Sequence, residues 1–349
     1  MRATILPCLT ALPLLMTSPA LADVPRVAVD IAPVHALVAQ VMGDLGTPDL
    51  VLPPGVSPHG YALRPSEARA LQEAGLVVWV GPELTPWLAD PLDSLAGDAA
   101  RLELLEVEGI RRLDFREGAS FEAHEHDDDH AHEEEHEEAE ADHDHDHDDD
   151  HEHEAEGDHA HEEDHDHEAE AEHDHDHRGT DPHAWLDPVN AALWLDAIAA
   201  ELSRIDPENA GTYAANAAEA LAGLATLQDD IGARMAPLSG GFVVFHDAYH
   251  YFEARFGVES AGAISLSDAT APGPARVAEI RDLVAAEGIT CVFVEPQFNR
   301  GLVDAVFEGT GVRIGVIDPL GATLEPGAGL YTGLIEGVAA SFEDCLGEG

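Results

Sequence analysis

The chain has 349 residues, enough for two ordinary domains, and carries a formal net charge of −54 at pH 7. More than half of this charge lies in residues 122–177, which hold 30 Asp and Glu, 17 His and no Lys or Arg. Such a surface repels nucleic acid and anionic lipid headgroups and attracts cations, so nucleic-acid binding is excluded.

Residues 1–22 are typical of a cleavable signal peptide. Arg2 precedes an apolar run at 5–16, and the small residues of Ala20-Leu21-Ala22 form a cleavage site before Asp23. The apolar run is too short for a permanent anchor, and no later stretch is long enough to span a membrane. The sequence therefore predicts an exported, periplasmic protein.

Cysteine usage fits an exported chain. Cleavage of the signal peptide removes Cys8 and leaves Cys291 and Cys345. An even number of cysteines in an oxidising compartment favours one disulfide, and two buried thiols are the alternative.

The first part of the mature chain alternates short strands with helices. Strand-like runs lie at 26–31, 48–53 and 76–81, helical spacing starts at His35 and stops at Gly43, and Ser66 and Gly75 are the expected N-cap and stop of a second helix. This alternation predicts an N-terminal α/β lobe with a parallel-type sheet over 23–205.

The acidic, histidine-rich run at 122–177 interrupts this lobe. It has no β-branched residue and cannot bury enough apolar surface to offset the entropy of ordering. We predict that it is a disordered, metal-binding insertion.

The remaining chain predicts a long helix and a second lobe. Helical patterns occupy 190–205, 209–235, 274–287 and 301–309, and strand signals return at 242–245, 289–295 and 312–318. The predicted fold is α/β, with two similar lobes, 23–205 and 237–349, joined by one long rigid helix at 206–236.

Five histidines lie outside the acidic run: His35, His59, His183, His246 and His250. His59 lies in a Pro/Gly loop after a strand, His183 in a Pro-rich turn, and His246 directly after the strand 242–245. Ligands of open α/β sheets collect beyond the carboxyl ends of strands, so these three imidazoles could form a zinc site. Asp318, at the end of another strand, is placed in the same way.

Five stretches resemble one known family: VLPPGVSPHGYALRPS (51–66), TDPHAWLDP (180–188), FVVFHDAYHYFEARFG (242–257), CVFVEPQF (291–298) and VIDPLG (316–321). They are similar, in sequence and in order, to the zinc-binding periplasmic components of ABC importers of the ZnuA type. The resemblance covers nearly the whole mature chain. It implies two α/β lobes bridged by one long helix, with metal bound in the cleft.

The resemblance also implies roles for particular residues. It assigns the metal ligands to His59, His183 and His246, a disulfide to Cys291 and Cys345, and an acidic position to Asp318. Manganese and iron members have Glu where this chain has His246. Three imidazoles suit zinc better than manganese, which prefers carboxylate oxygens.

The chain departs from the family pattern at two positions. Pro58 replaces a Glu that some zinc members have, which leaves water or Asp318 as the fourth ligand. His250 replaces an expected Gly and follows His246 by four residues, so it is a minor ligand candidate if a helix begins at Asp247.

Three further residues have expected roles beside the metal. Glu295 is expected to make structural hydrogen bonds within the second lobe. Trp185 and Tyr249 are expected to form apolar walls of the cleft.

The histidines of 122–177 predict an auxiliary role in zinc capture, buffering or sensing, because flexible His-x-His pairs bind zinc in sites of low order. The residues assigned to this auxiliary role are His143, His145, His147, His151, His153, His173, His175 and His177. Two HExxH matches, at 132–136 and 161–165, arise by chance in such a composition and do not predict a protease.

The sequence thus predicts a monomeric, non-enzymatic Zn²⁺ receptor that delivers zinc to a membrane permease and its cytoplasmic ATPase. The alternatives are a manganese receptor of the same class, and a periplasmic zinc buffer or adhesin without a transport partner. A zinc hydrolase is a fourth possibility, but it lacks a convincing Glu and His arrangement outside the acidic run.

Overall fold

The computed structural model describes residues 24–116, 121, 179–265, 272–298 and 300–347. The signal peptide and the histidine-rich run predicted from the sequence lie outside these residues. Both sheets described below belong to the same compact unit.

The N-terminal lobe contains a four-stranded parallel sheet in the order β2-β1-β3-β4. The strands are β1 (Val27–Val29), β2 (Asp49–Leu50), β3 (Leu76–Trp79) and β4 (Ala100–Glu103), and the helices are α1 (Ala32–Met42), α2 (Pro65–Glu73) and α3 (Ala89–Leu95). Every residue of β1 and β3 is buried, as expected for strands covered on both faces. Strand β4 was not predicted.

The start of α2 differs from the prediction that Ser66 is its N-cap. The cap position is Arg64, and Pro65 takes the first helical position, where its missing N–H costs nothing. The carboxylate of Glu67 accepts a hydrogen bond from the backbone N–H of Arg64 at 2.7 Å. Glu67 thus provides the hydrogen-bond partner for the backbone at the start of the helix.

Two long helices follow, α4 (Pro188–Ile205) and α5 (Ala210–Met235). Asp187 caps α4 by accepting the N–H of Val189 at 2.9 Å. Helix α5 has 26 residues, about 39 Å at 1.5 Å per residue, and lies where the long helix was predicted.

The C-terminal lobe repeats the first arrangement, with a parallel sheet in the order β6-β5-β7-β8. Its strands are β5 (Phe242–His246), β6 (Gly262–Ser265), β7 (Cys291–Val294) and β8 (Arg313–Val316), and its helices are α6 (His250–Phe256), α7 (Pro274–Glu287), α8 (Arg300–Val306) and α9 (Leu330–Leu346). Strand β6 was not predicted. The disulfide Cys291–Cys345 is confirmed and ties β7 to α9.

One hydrophobic cluster runs through both lobes. It joins β1 and α1 of the first lobe to α5, β5 and α9 of the second without interruption. Helix α1 packs directly on α5 and α9. One face of each sheet therefore packs in this shared core, while the opposite faces pack in separate clusters. Among the described residues, no helix combines the length and apolar character needed to cross a membrane.

Candidate metal centre

His59 lies on the loop that follows β2. The indole N–H of Trp87 donates to the carbonyl of Pro58 at 2.7 Å, which fixes the backbone next to the histidine. The amide of His59 donates to the Ser57 hydroxyl at 3.2 Å. Gly55 has a φ of 77°, a conformation that glycine adopts without strain and that turns the loop back.

His183 lies in the turn before α4. Asp181 Oδ1 accepts the amide N–H of His183 at 2.9 Å and lies 2.7 Å from its ring Nδ1. A short aspartate side chain that binds the amide two residues later is a common turn device. The same carboxylate therefore shapes the turn and orients the ring.

His246 is the last residue of β5, where it pairs with Ser265 of β6. Its Nδ1 lies 3.2 Å from Oε1 of Glu295, the residue that follows β7. The other oxygen of Glu295 accepts from the amide of Gln297 at 2.6 Å. Glu295 was expected to make hydrogen bonds within the second lobe, and one of its contacts is with the ring of a candidate metal ligand.

The three side chains converge on one point. The ring centroids are 5.4 Å apart for His59 and His183, 5.6 Å for His59 and His246, and 4.9 Å for His183 and His246. One nitrogen from each ring lies within 4.8 Å of the other two. Zinc in proteins has nitrogen ligands about 2.0–2.1 Å away, so small side-chain adjustments would bring all three to one ion.

Burial favours the neutral form of His59. It lowers the pKa of His59 well below the usual value, and the neighbouring His183 and His246 lower it further, while Asp181 opposes them. Burial alone would raise the pKa of Asp181, but the electrostatic attraction and the hydrogen bonds of His183 outweigh it and hold that pKa below its usual value. A neutral imidazole is the form that binds metal, so His59 is suited to be a ligand.

The structure does not place Asp318 in the three-histidine group. Its Oδ1 accepts the amides of Leu320 at 3.1 Å and Gly321 at 2.9 Å. Its Oδ2 is buried without a hydrogen-bond partner among the described residues. The carboxylate is therefore anchored by one oxygen and keeps the other available.

The other two histidines in the described part of the chain, His250 and His35, also lie outside the group. Helix α6 begins at His250 and not at Asp247, and His250 Nδ1 lies 3.7 Å from Asp181 Oδ2. His35 is within α1, and its Nε2 is 3.0 Å from the carbonyl of Pro48. His250 thus lies behind a candidate ligand, while His35 has its own backbone partner.

A small cavity of about 10 Å³ adjoins the group and is lined by Pro58, His183, Trp185, His246, Glu295, Pro319 and Leu320. Trp185, one of the lining residues, donates to the carbonyl of Pro319 at 2.8 Å. Tyr249 is fully buried nearby, and burial followed by the charges of Glu295 and Asp318 raises its pKa well above the usual value. The space is that of about one water molecule or ion.

Sequence reasoning missed two groups beside this centre. Asp181 is within the quoted TDPHAWLDP motif, and the spacing Asp-Pro-His could have revealed it as a turn residue facing the imidazole. The second is Arg116, which bridges Asp247 and Glu253 and stacks on the ring of Phe121 at 3.9 Å. No local pattern connects residues about 130 positions apart.

The fold and this centre define a class of protein. Two parallel α/β sheets joined by a long helix, with three imidazoles brought together from both lobes, make a metal-binding protein of the substrate-binding type.

Comparison with known proteins identifies the family. The model of the family described as "Zinc-uptake complex component A periplasmic" (ZnuA) matches residues 27–345, and the chain belongs to this family. The resemblance inferred from the motifs is confirmed.

Named relatives are similar along nearly the whole chain. The chain is 50% identical over 331 residues to the "High-affinity zinc uptake system protein ZnuA" of Paracoccus denitrificans, covering 94% of each chain. It is 44% identical over 321 residues to the protein of the same name from Brucella abortus (strain 2308), covering 92% of this chain and 91% of the relative.

Solved structures share the fold. A ZnuA crystal structure superposes with a TM-score of 0.68 at 21% identity, over 93% of this chain and 99% of that one. The periplasmic zinc-binding protein TroA of Treponema pallidum gives a TM-score of 0.68 at 17% identity, over 92% and 98%. The predicted two-lobed α/β fold is confirmed.

Proposed function

We propose that this protein is the periplasmic zinc receptor of an ABC-type importer, with His59, His183 and His246 as the ligands of Zn²⁺. The observation that carries the proposal is the convergence of one nitrogen from each of these rings within 4.8 Å. Three neutral imidazoles are a donor set that zinc favours. Membership of a zinc-uptake family supports the same cargo.

The fourth position on the metal is proposed for Asp318 or water. Asp318 Oδ2 is buried without a hydrogen-bond partner in the described part of the chain, which supports its recruitment. The backbone amides of Leu320 and Gly321 that hold its Oδ1 would limit its reach. A water molecule would fit the adjoining cavity of about 10 Å³.

We propose zinc rather than manganese as the cargo because all three candidate donors are histidine nitrogens. Each of the three converging nitrogens belongs to an imidazole, whereas manganese prefers carboxylate and water oxygens. Glu295 and Asp181, two carboxylates beside the group, are hydrogen-bonded to the rings of His246 and His183.

The partners and location follow from the family. The curated relatives carry the name of a high-affinity zinc uptake system, which supports a membrane permease with its cytoplasmic ATPase as the receiver of zinc. We propose export through a signal peptide at residues 1–22, a monomeric state, and transport binding without catalysis. The run at 122–177 is proposed as an auxiliary element that captures, buffers or senses zinc.

The proposed domain division is an N-terminal lobe at 23–205, a connecting helix at 206–236 and a C-terminal lobe at 237–349. The shared hydrophobic core supports small lobe movements on zinc binding, because wide closure would expose the apolar surface that joins α1 to α9.

The test is zinc titration of the full chain beside a variant with His59→Ala, His183→Ala and His246→Ala. We expect the variant to lose one tight site and to retain several weak ones. Retention of the tight site would refute this ligand set. Competition with Mn²⁺ in the wild type checks the metal, and Mn²⁺ binding tighter than Zn²⁺ would reverse the choice of cargo.

A further inference from the structure

Two of the three candidate ligands lie against a buried carboxylate. Asp181 is 1% exposed and faces the ring of His183, and Glu295 is 2% exposed and faces the ring of His246. In both pairs the ring atom that meets the carboxylate is Nδ1. The two lobes thus supply the same pairing through different elements, a turn before α4 and the end of β7.

The contacts of Glu295 determine which atom donates the hydrogen. Its Oε2 accepts from the amide group of Gln297 at 2.6 Å. An amide N–H can only donate. Glu295 therefore accepts at Oε2, and because an ionised carboxylate can only accept, the tautomer of His246 that fits this contact carries its hydrogen on Nδ1.

Asp181 has the same role for His183. Its Oδ1 accepts the amide N–H of His183 at 2.9 Å while it meets the ring Nδ1 at 2.7 Å. One oxygen thus meets both the backbone N–H and the ring of the same residue. The remaining ring nitrogen, Nε2, is buried and has no hydrogen-bond partner in the described part of the chain.

A neutral imidazole has one N–H and one lone pair. When the N–H is on Nδ1, the lone pair is on Nε2. A carboxylate that fixes the tautomer of a metal-binding histidine also fixes the orientation of its ring and makes the ligand more basic.

We propose that Asp181 and Glu295 are positioning residues, which hold His183 and His246 as Nδ1–H tautomers and so aim both Nε2 lone pairs at one divalent cation of borderline softness. This inference rests on the proposed function. Loss of such a supporting hydrogen bond lowers metal affinity by roughly 10–100-fold.

The experiment uses the full chain with Asp181→Asn and Glu295→Gln, which keep the shape of each side chain. Asp187→Asn is the matched control, because Asp187 is also fully buried but bonds to Arg255 and to the amide of Val189. Zinc affinity is measured by competition with a chelator. The d–d absorption of bound Co²⁺ reports ligand geometry, and ¹⁵N NMR of labelled histidine reports the tautomers in metal-free protein.

We expect Nδ1–H tautomers at His183 and His246 in metal-free wild type. Zinc affinity should fall by about 10-fold or more in each of the two variants, with altered Co²⁺ spectra, and should stay within about threefold in the control. Nε2–H tautomers in the wild type would overturn the inference, as would unchanged affinity and spectra in both variants. If the variants fail to fold, the wild-type tautomers decide.

The failure of the proposed function is a separate result. Tight zinc binding that survives the loss of all three histidines would remove the ligand set itself. Tight binding that needs those histidines but tolerates Asp181→Asn and Glu295→Gln would remove only the positioning role.

Discussion

The two sheets have the same strand order, yet the ends of their first strands differ. In the C-terminal lobe β5 ends in His246, whose ring meets Glu295 after β7. In the N-terminal lobe β1 is followed by Asp30, whose two oxygens accept the amides of Ile31 at 2.8 Å and Val80 at 2.7 Å. In each lobe a polar side chain after the first strand is linked to the end of the third strand.

The difference shows how one arrangement serves two purposes. Asp30 is fully buried and bonded to backbone, so it holds its own sheet together. His246 is linked to a side chain and directs its ring toward the other lobe. The N-terminal lobe instead supplies His59 and His183 from segments outside its strands. A hydrogen bond from Trp87 holds the segment of His59, and a contact with Asp181 holds the ring of His183.

The largest expected effect comes from removing the strand-end ligand. His246→Ala deletes the C-terminal lobe's contribution to the three-histidine group, so zinc affinity should fall by on the order of 1,000-fold, more than the loss of a supporting hydrogen bond costs. Chelator competition measures the change.

The control for this variant is Asp30→Asn, at the corresponding place in the other sheet. It should leave zinc affinity within a few-fold of wild type in folded protein, because Asp30 bonds to backbone amides and is outside the three-histidine group. Equal losses of affinity in the two variants would mean that the two strand ends are not functionally different.

Asp30 should instead control the pH dependence of stability. Burial raises its pKa to about 7, against the opposing backbone hydrogen bonds. A raised folded-state pKa adds stability that is fully present below the unfolded value near 4 and is lost as pH rises through 7. About three pKa units correspond to roughly 4 kcal/mol of unfolding free energy.

Urea unfolding of metal-free wild type and Asp30→Asn at pH 5 and pH 8 measures this effect. We expect the variant to be less stable at low pH, because an amide has one acceptor oxygen for two amide donors. Between pH 5 and pH 8 the wild type should lose more free energy of unfolding than the variant. Parallel losses would contradict a titrating Asp30.

The disulfide is a second difference between the lobes. Cys291 of β7 is bonded to Cys345 of α9 across 54 residues, and the described residues of the N-terminal lobe contain no cysteine. Replacing both cysteines by serine should reduce the free energy of unfolding by about 3–4 kcal/mol in the chain-entropy account. Zinc affinity at 25 °C should change little, and a loss comparable with that of His246→Ala would link the bridge to the metal centre.

The sequence predicted the two-lobed fold for a physical reason, and the three histidines that it singled out lie together in the structure. Buried parallel strands such as LVVW and FVVF are continuous apolar runs, and each candidate ligand follows a strand or precedes a helix. Strand β4, with sequence ARLE, escaped prediction because its residues are only partly buried or exposed. The cap of α2 was assigned wrongly because Pro65 and Glu67 outweighed the usual preference for serine.

Contacts between segments that are far apart in the sequence could not be predicted. The pair of His246 with Glu295 depends on the neighbouring positions of β5 and β7, and that of Arg116 with Asp247 depends on how the two lobes pack. The position of Asp318 after β8 does not by itself determine where its second carboxylate oxygen points. Its role as the fourth ligand therefore stays a prediction.

The smallest effect is expected from His250→Ala, which compares two histidines four residues apart. His250 Nδ1 lies 3.7 Å from Asp181 Oδ2, beyond hydrogen-bond distance, and the side chain is 23% exposed. A partly exposed contact of this kind contributes about 0.2–1 kcal/mol, which corresponds to a change in zinc affinity of less than about fivefold. Chelator competition beside His246→Ala distinguishes the roles: a loss near 1,000-fold would make His250 a ligand, and a small loss assigns it to the support of Asp181.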